Sequence, residues 1–241
     1  MLYCDRCASK GCTAASTDGL AAGCPTFDGV HAKALAAYGD EDRALAVTSH
    51  VATRDGYGWA TRVEETMLFA ARSGFRTIGV AFCITLAKEA RVFCDVLRDN
   101  GFSVESVLCK TGALPRDLLG EPMVADIKPG MSAALCNPAG QALLLNRAGT
   151  DLNVVLGLCV GHDALFFKHS DAPCTCLAVK DRVCGHDPLK ALREHEGAFS
   201  RIHRVDLPER MVSGVQWRTD APSPEGSLES DDRDGVRVHA C

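Results

Sequence analysis

Four cysteines, Cys83, Cys109, Cys136 and Cys159, each stand directly after an apolar run of strand character, at 77–82, 103–108, 131–135 and 152–158, the third run being the weakest. In an open parallel sheet all strands finish on one edge, where such folds bind ligands, so thiols distant in sequence can meet there. Four thiolates would serve an iron–sulfur cluster or a zinc ion. The plainer reading, a small hydrophobe buried at a strand end, weakens as the pattern recurs from strand to strand.

The residues around these thiols add to the case. Lys110 follows Cys109 and brings positive charge. Asn137-Pro138 after Cys136 and Gly161-His162-Asp163 after Cys159 read as helix starts, and the field of a helix N-terminus favours a thiolate. His162 and Asp163 are placed to shuttle a proton or to join a metal site; the competing assignment makes Asp163 an N-cap and His162 an exposed turn residue. The candidate pocket is thus Cys159, His162, Asp163, Lys110 and Asn137. If the thiols hold no metal, Cys159 becomes the candidate nucleophile.

A second set, Cys4, Cys7, Cys12 and Cys24, has the spacing CxxCxxxxCx11CP. Cys4 and Cys7 can grip one ion with a single turn of chain, and four thiolates suit tetrahedral zinc or a 4Fe–4S cluster. The ending Cys24-Pro25 is ferredoxin-like, although the internal spacing matches no ferredoxin run. Iron–sulfur is placed ahead of zinc. A third group, Cys174, Cys176, Cys184 and His186, is read mainly as packing, and Cys94 on a helix's apolar side as core. Arg62, Glu64 and Glu65 open a helix, where carboxylates serve its dipole or a solvated face.

The elements that must position these side chains alternate in type. Val63, Met67, Ala70 and Ala71 recur at helical spacing before Gly74, ahead of the first strand. Leu86, Ala90, Phe93 and Leu97 mark a helix closed by Asn100-Gly101, before the second strand. Residues 110–130, with three prolines, read as a long loop or lid. A helix through Leu143 to Leu145 precedes the strand at 152–158; a short helix around Phe166, a strand through Leu177-Ala178-Val179, and a helix capped by Asp187-Pro188 complete the alternation. This predicts an α/β protein: an open, mostly parallel sheet with helices on both faces, preceded by a cysteine-rich N-terminal segment.

The expected organisation is a metal-binding segment at 1–30, an α/β domain at 31–200, and an extension at 201–241, largely disordered after about residue 218, where the chain turns acidic and poor in large apolar residues. Without ligation nothing in 1–30 would order it.

Across 241 residues, 46% hydrophobic, the chain buries a core without disulfides, yet it carries 13 cysteines. With no signal sequence and no apolar run of membrane-spanning length, the expected compartment is the reducing cytoplasm, where such a count points to metal or thiol chemistry. A net charge of −5 with interspersed signs argues against a nucleic-acid partner.

Arg62-Val63-Glu64-Glu65, Gly79-Val80-Ala81-Phe82-Cys83, Cys109-Lys110, Cys136-Asn137-Pro138 with Gln141-Ala142, Gly157-Leu158-Cys159-Val160-Gly161-His162-Asp163 and Val179-Lys180-Asp181-Arg182 together resemble an uncharacterised cysteine-rich bacterial and archaeal family, domain of unknown function eighteen-forty-seven, often labelled metal-binding. The resemblance runs from residue 4 to about 192. It implies a metal-binding protein with no established reaction. Cys174 and Cys176 depart from the pattern, where Val or Thr is expected.

The expected function is therefore cluster-dependent redox or sulfur-transfer chemistry on a small molecule, with an unidentified substrate or redox partner. The alternative is a non-catalytic zinc-binding structural or partner-binding module.

Overall fold

A computed structural model describes residues 4–7, 10–119 and 134–203. The expected extension beyond 203, and 120–133 of the expected lid, lie outside the described residues. The described chain forms two compact units that meet in sequence at Arg43 and Ala44.

The larger unit holds four strands: β1 (Thr77–Phe82), β2 (Ser103–Leu108), β3 (Leu152–Leu156) and β4 (Cys174–Ala178), in the order β2-β1-β3-β4 and all parallel. Parallel neighbours need crossovers, and helices supply them. β3 is buried at all five positions and β1 at its four central ones, which is why both read as unbroken apolar runs; the edge strand β2 is largely exposed.

Side-chain alternation sends Ile78, Val80, Leu152 and Val154 to one face, where they pack with α3 (Arg62–Arg72) and α4 (Ala87–Asp99) through Ala70, Phe93, Cys94 and Leu97. Ala81 and Val155 point to the other face, against α5 (Pro138–Ala148) and α6 (His162–His169) through Ala142, Leu145 and Phe166. The expected sheet with helices on both faces is what the chain forms. Its helix ends follow local chemistry. Thr61 and Glu64 make a reciprocal capping box on α3, and those hydrogen bonds from Thr61 hold the Glu64 carboxyl below its ordinary range. Glu64 thus serves its helix.

Two helices escaped the sequence reading. α1 (Val30–Ala37) and α2 (Asp40–Gly56) carry too few large apolar residues at helical spacing to announce themselves. Of the strand expected at 131–135, residues 131–133 lie outside the described residues, and Ala134 forms an isolated bridge to Pro115. In the smaller unit the cysteine-rich segment forms short 3-10 turns at Cys4–Arg6, Gly11–Ala14 and Pro25–Phe27. The last helix of the larger unit is α7 (Leu189–Arg193), with the Asp187 carboxylate accepting from Leu189 N–H.

Gly157 ends β3. Its φ is +67°, and a Cβ there would stand 2.1 Å from Leu86 Cδ1. Gly157→Ala is therefore expected to cost about 1–3 kcal/mol of stability from backbone strain and overpacking, read as a lower urea midpoint. An unshifted midpoint would show that Leu86 yields freely.

A row of thiols at the ends of the strands

Cys83 leaves β1 with its N–H donating to Leu156 O at 3.2 Å, and Cys109 leaves β2 with its N–H donating to Phe82 O at 2.9 Å. The chain returns after the long loop so that Asn137 N–H donates to Cys109 O at 2.8 Å, which sets Cys136 beside them. Three main-chain hydrogen bonds thus carry three thiols from separate segments to one edge. The expected meeting place is the carboxyl edge of an open sheet, next to the point where the crossovers from β1 and β3 leave on opposite faces.

The thiols form a row. Cys109 lies between Cys83 and Cys136 in one packed cluster, and His162, at the start of α6, neighbours Cys136. The hydrogen bond from Cys109, then those from His162 and Lys110, hold the Cys136 thiol down to about 3; burial opposes them and loses. Cys83 is held down to about 4, chiefly by Cys109 and next by Thr85, with the Lys180 charge adding to them. The thiol of Cys109 is pushed up by these same two neighbours and by burial. The row therefore reads as a protonated thiol between two thiolates. The neighbouring Cys136 raises the His162 imidazole above its ordinary value, against the opposing effect of burial. Cys83 and Cys109 are buried, at 5% and 2% exposure, while Cys136 is half-buried.

Other candidates are placed differently. Cys159 does not join the row: β3 ends at Leu156, the left-handed turn at Gly157 redirects the chain, and Cys159 Sγ accepts instead from Arg182 at 3.7 Å. Lys110 Nζ donates to Ala134 O at 2.7 Å while facing Cys136. The Asn137 side chain caps α5, accepting from Gly140 N–H at 2.9 Å. Asp163 accepts from Gly161 N–H and Ala164 N–H, so its carboxylate is occupied by local backbone. Cys174 and Cys176 pack against the apolar cluster beneath α5 and α6, where burial pushes both thiols up, as it does Cys94 and Cys184. None of Cys83, Cys109, Cys136 and Cys159 is in a disulfide.

As they stand, the described residues contain no group of three or more His, Cys, Asp or Glu side chains arranged to hold a metal ion. That statement covers Cys4, Cys7, Cys12 and Cys24 as well as the row. In kind, however, three thiols and an imidazole are the donors that soft and borderline metals take.

One participant was not recognised in the sequence. Gln141, fully buried on α5, donates through Nε2 to Phe82 O at 3.3 Å and Val107 O at 2.7 Å, clamping β1 and β2 just before their cysteines. Its Oε1 has no partner. The signal was there: a glutamine at a core-facing helical position, four residues after the N-cap, in a quoted stretch. Gln141→Leu is expected to lower stability by about 1–3 kcal/mol in urea denaturation, because two strand-end carbonyls lose a buried donor. No loss would mean the clamp is idle.

The fold and this edge define an α/β protein with a thiol row at its strand ends, and among the described residues no helix is long and apolar enough to cross a membrane. The chain belongs to the family described as Protein of unknown function (DUF1847), whose profile matches residues 24–177. That span takes in the whole row and Cys159 but leaves out Cys4, Cys7, Cys12, Lys180 and Arg182, so it is narrower than the resemblance at 4–192. Uncharacterized protein MJ0455 of Methanocaldococcus jannaschii is 40% identical over 153 residues, covering 64% of this chain and 77% of that protein. No solved structure matches.

Proposed function

We propose that the row is a thiolate metal centre, with Cys83, Cys109 and Cys136 as ligands and His162 as the fourth donor, and that the protein carries an iron–sulfur cluster there in the reducing cytoplasm. The observation that supports this is the contact of three thiols, from three separate chain segments, with one another and with an imidazole. Cys83, Cys109, Cys136 and His162 would hold the cluster, and the thiols and the imidazole would have to be deprotonated to do so. A bound cluster supplies electron transfer or a Lewis-acid iron. The protein's own groups do the rest. Lys110 and Lys180 offset thiolate charge at the two ends, and Gln141 fixes the strand ends from which two of the ligands hang. The reaction proposed is redox or sulfur transfer on a small molecule. Cys4, Cys7, Cys12 and Cys24 are proposed as a separate metal site on the smaller unit.

The test is anaerobic purification followed by iron, acid-labile sulfide and zinc analysis with a visible spectrum. Brown protein containing iron and sulfide is expected; zinc alone would favour a structural module. Protein that stays colourless and metal-free after reconstitution would overturn the proposal.

A second reading is favoured by the convergence of Cys109, His162 and Lys110 on Cys136 at the N-terminal end of α5. In it, Cys136 is a metal-free nucleophile, with Cys109 beside it as a resolving thiol.

A further inference from the structure

The strand-end rim carries more positive charge than its thiols call for. Lys180 reaches the Cys83 end of the row, where its Nζ donates to Thr85 Oγ1. Lys110 stands at the Cys136 end, where its Nζ also donates to the Ala134 carbonyl. Arg182 reaches Cys159. These three side chains come from the segments that follow β2 and β4, so the topology itself gathers them at one edge.

No carboxylate answers them. Among the described residues none of the three takes part in an ion pair. The acidic residue between Lys180 and Arg182, Asp181, turns its carboxylate back to accept from Val183 N–H and Cys184 N–H at 2.9 Å each. Asp163 is likewise spent on Gly161 N–H and Ala164 N–H. Lys110 and Lys180 are half-buried and face the Cys136 and Cys83 thiolates, so with Arg182 the cations at this edge outnumber those two anionic groups. Arginine beside lysine and a hydroxyl is a donor set suited to an oxyanion, which accepts from each.

We infer that the rim around the thiol row binds a small oxyanion at its Cys83 end, held by Lys180 with Thr85 and by Arg182, and that the molecule acted on at this site carries such a group. The inference rests on the reading of the rim as the functional site, but not on the presence of metal there. A phosphate and a carboxylate share the required chemistry, so both serve as probes.

The test is equilibrium dialysis of the full chain against labelled inorganic phosphate and, separately, acetate, in chloride buffer of matched ionic strength. It is run on protein as purified anaerobically and after chelator treatment. Saturable binding of at least one probe is expected, weakened about tenfold or more by Lys180→Gln and by Arg182→Gln, retained in Lys180→Arg, and unchanged in Arg147→Gln at the far end of α5. Phosphate binding without acetate binding assigns a phosphoryl or similar group, and the reverse a carboxylate. No saturable binding of either, or an equal loss in Arg147→Gln, overturns the inference. Lys180→Arg guards against misreading a folding defect, since it keeps the positive charge on a long side chain at the same position. Metal content of the same samples is scored apart: oxyanion binding without metal keeps this inference and sinks the metal centre, while iron without oxyanion binding does the opposite.

Discussion

In protein carrying Cys4→Ser and Cys7→Ser, Cys136→Ser is expected to reduce reconstituted iron and acid-labile sulfide about tenfold or more, to background, whereas Cys159→Ser leaves both unchanged. The first two substitutions remove the amino-terminal thiols that would otherwise mask the loss. Cys136 is the decisive ligand because it is the junction of the row, touching Cys109 on one side and His162 on the other, with Lys110 beside it. Without its thiolate, two buried thiols and His162 remain, one donor short of a four-coordinate site. Cys159 should be indifferent because Arg182, not the row, is its partner. Metal analysis checks both variants together. Equal losses in the two would show that the strand-end row is not the site.

The second large effect concerns the metal-free protein and its pH dependence. The Cys136 thiol lies near 3 against an ordinary value of 9.0, so it is thiolate throughout the range from about pH 5.5 to 8. A thiol of ordinary value loses about 300-fold of its thiolate over that interval. Alkylation of Cys136 by iodoacetamide, located by peptide mass spectrometry, is therefore expected to change less than about threefold between these limits, while a short cysteine peptide slows a few hundredfold. The direction follows from the depressed value: acid protonates this sulfur only near pH 3, below the whole range tested. His162→Ala and Lys110→Met, which remove donors to the thiolate, should each restore part of the ordinary pH dependence. If Cys136 in the parent protein slows as steeply as the peptide, the hydrogen bonds assigned to it are not formed in solution.

The sheet was legible because its two central strands are buried on both faces and so appear as unbroken apolar runs, while Asn137-Pro138 and Asn100-Gly101 mark helix ends by their local chemistry. α1 and α2 were not legible, since Asp40–Gly56 shows little apolar repetition. The candidate site was legible only through topology: cysteines that follow strands must reach one edge if the strands are parallel. That argument brings Cys83 and Cys109 together directly. It says less about Cys136, whose preceding run forms no strand among the described residues and which is brought in by one hydrogen bond between Asn137 N–H and Cys109 O. For Cys159 it overreached, because the apolar run at 152–158 conceals a left-handed glycine that ends β3 two residues before the run does. Gln141 was passed over because a buried amide has no signature except its phase on the helix.

Cys83 and Cys109 each follow the last register pair of β1 and β2, Phe82 and Leu108. Their spacing is therefore a property of the sheet, about 4.8 Å between neighbouring backbones, and side-chain rotation alters it only within narrow bounds. The two residues act as a fixed jaw. Cys136 and His162, carried on the return from the long loop and on the first turn of α6, form the adjustable one. Any difference in calibre between an empty row, a single ion and a larger inorganic core would be taken up on that side, while the paired strands β1 and β2 keep their gauge.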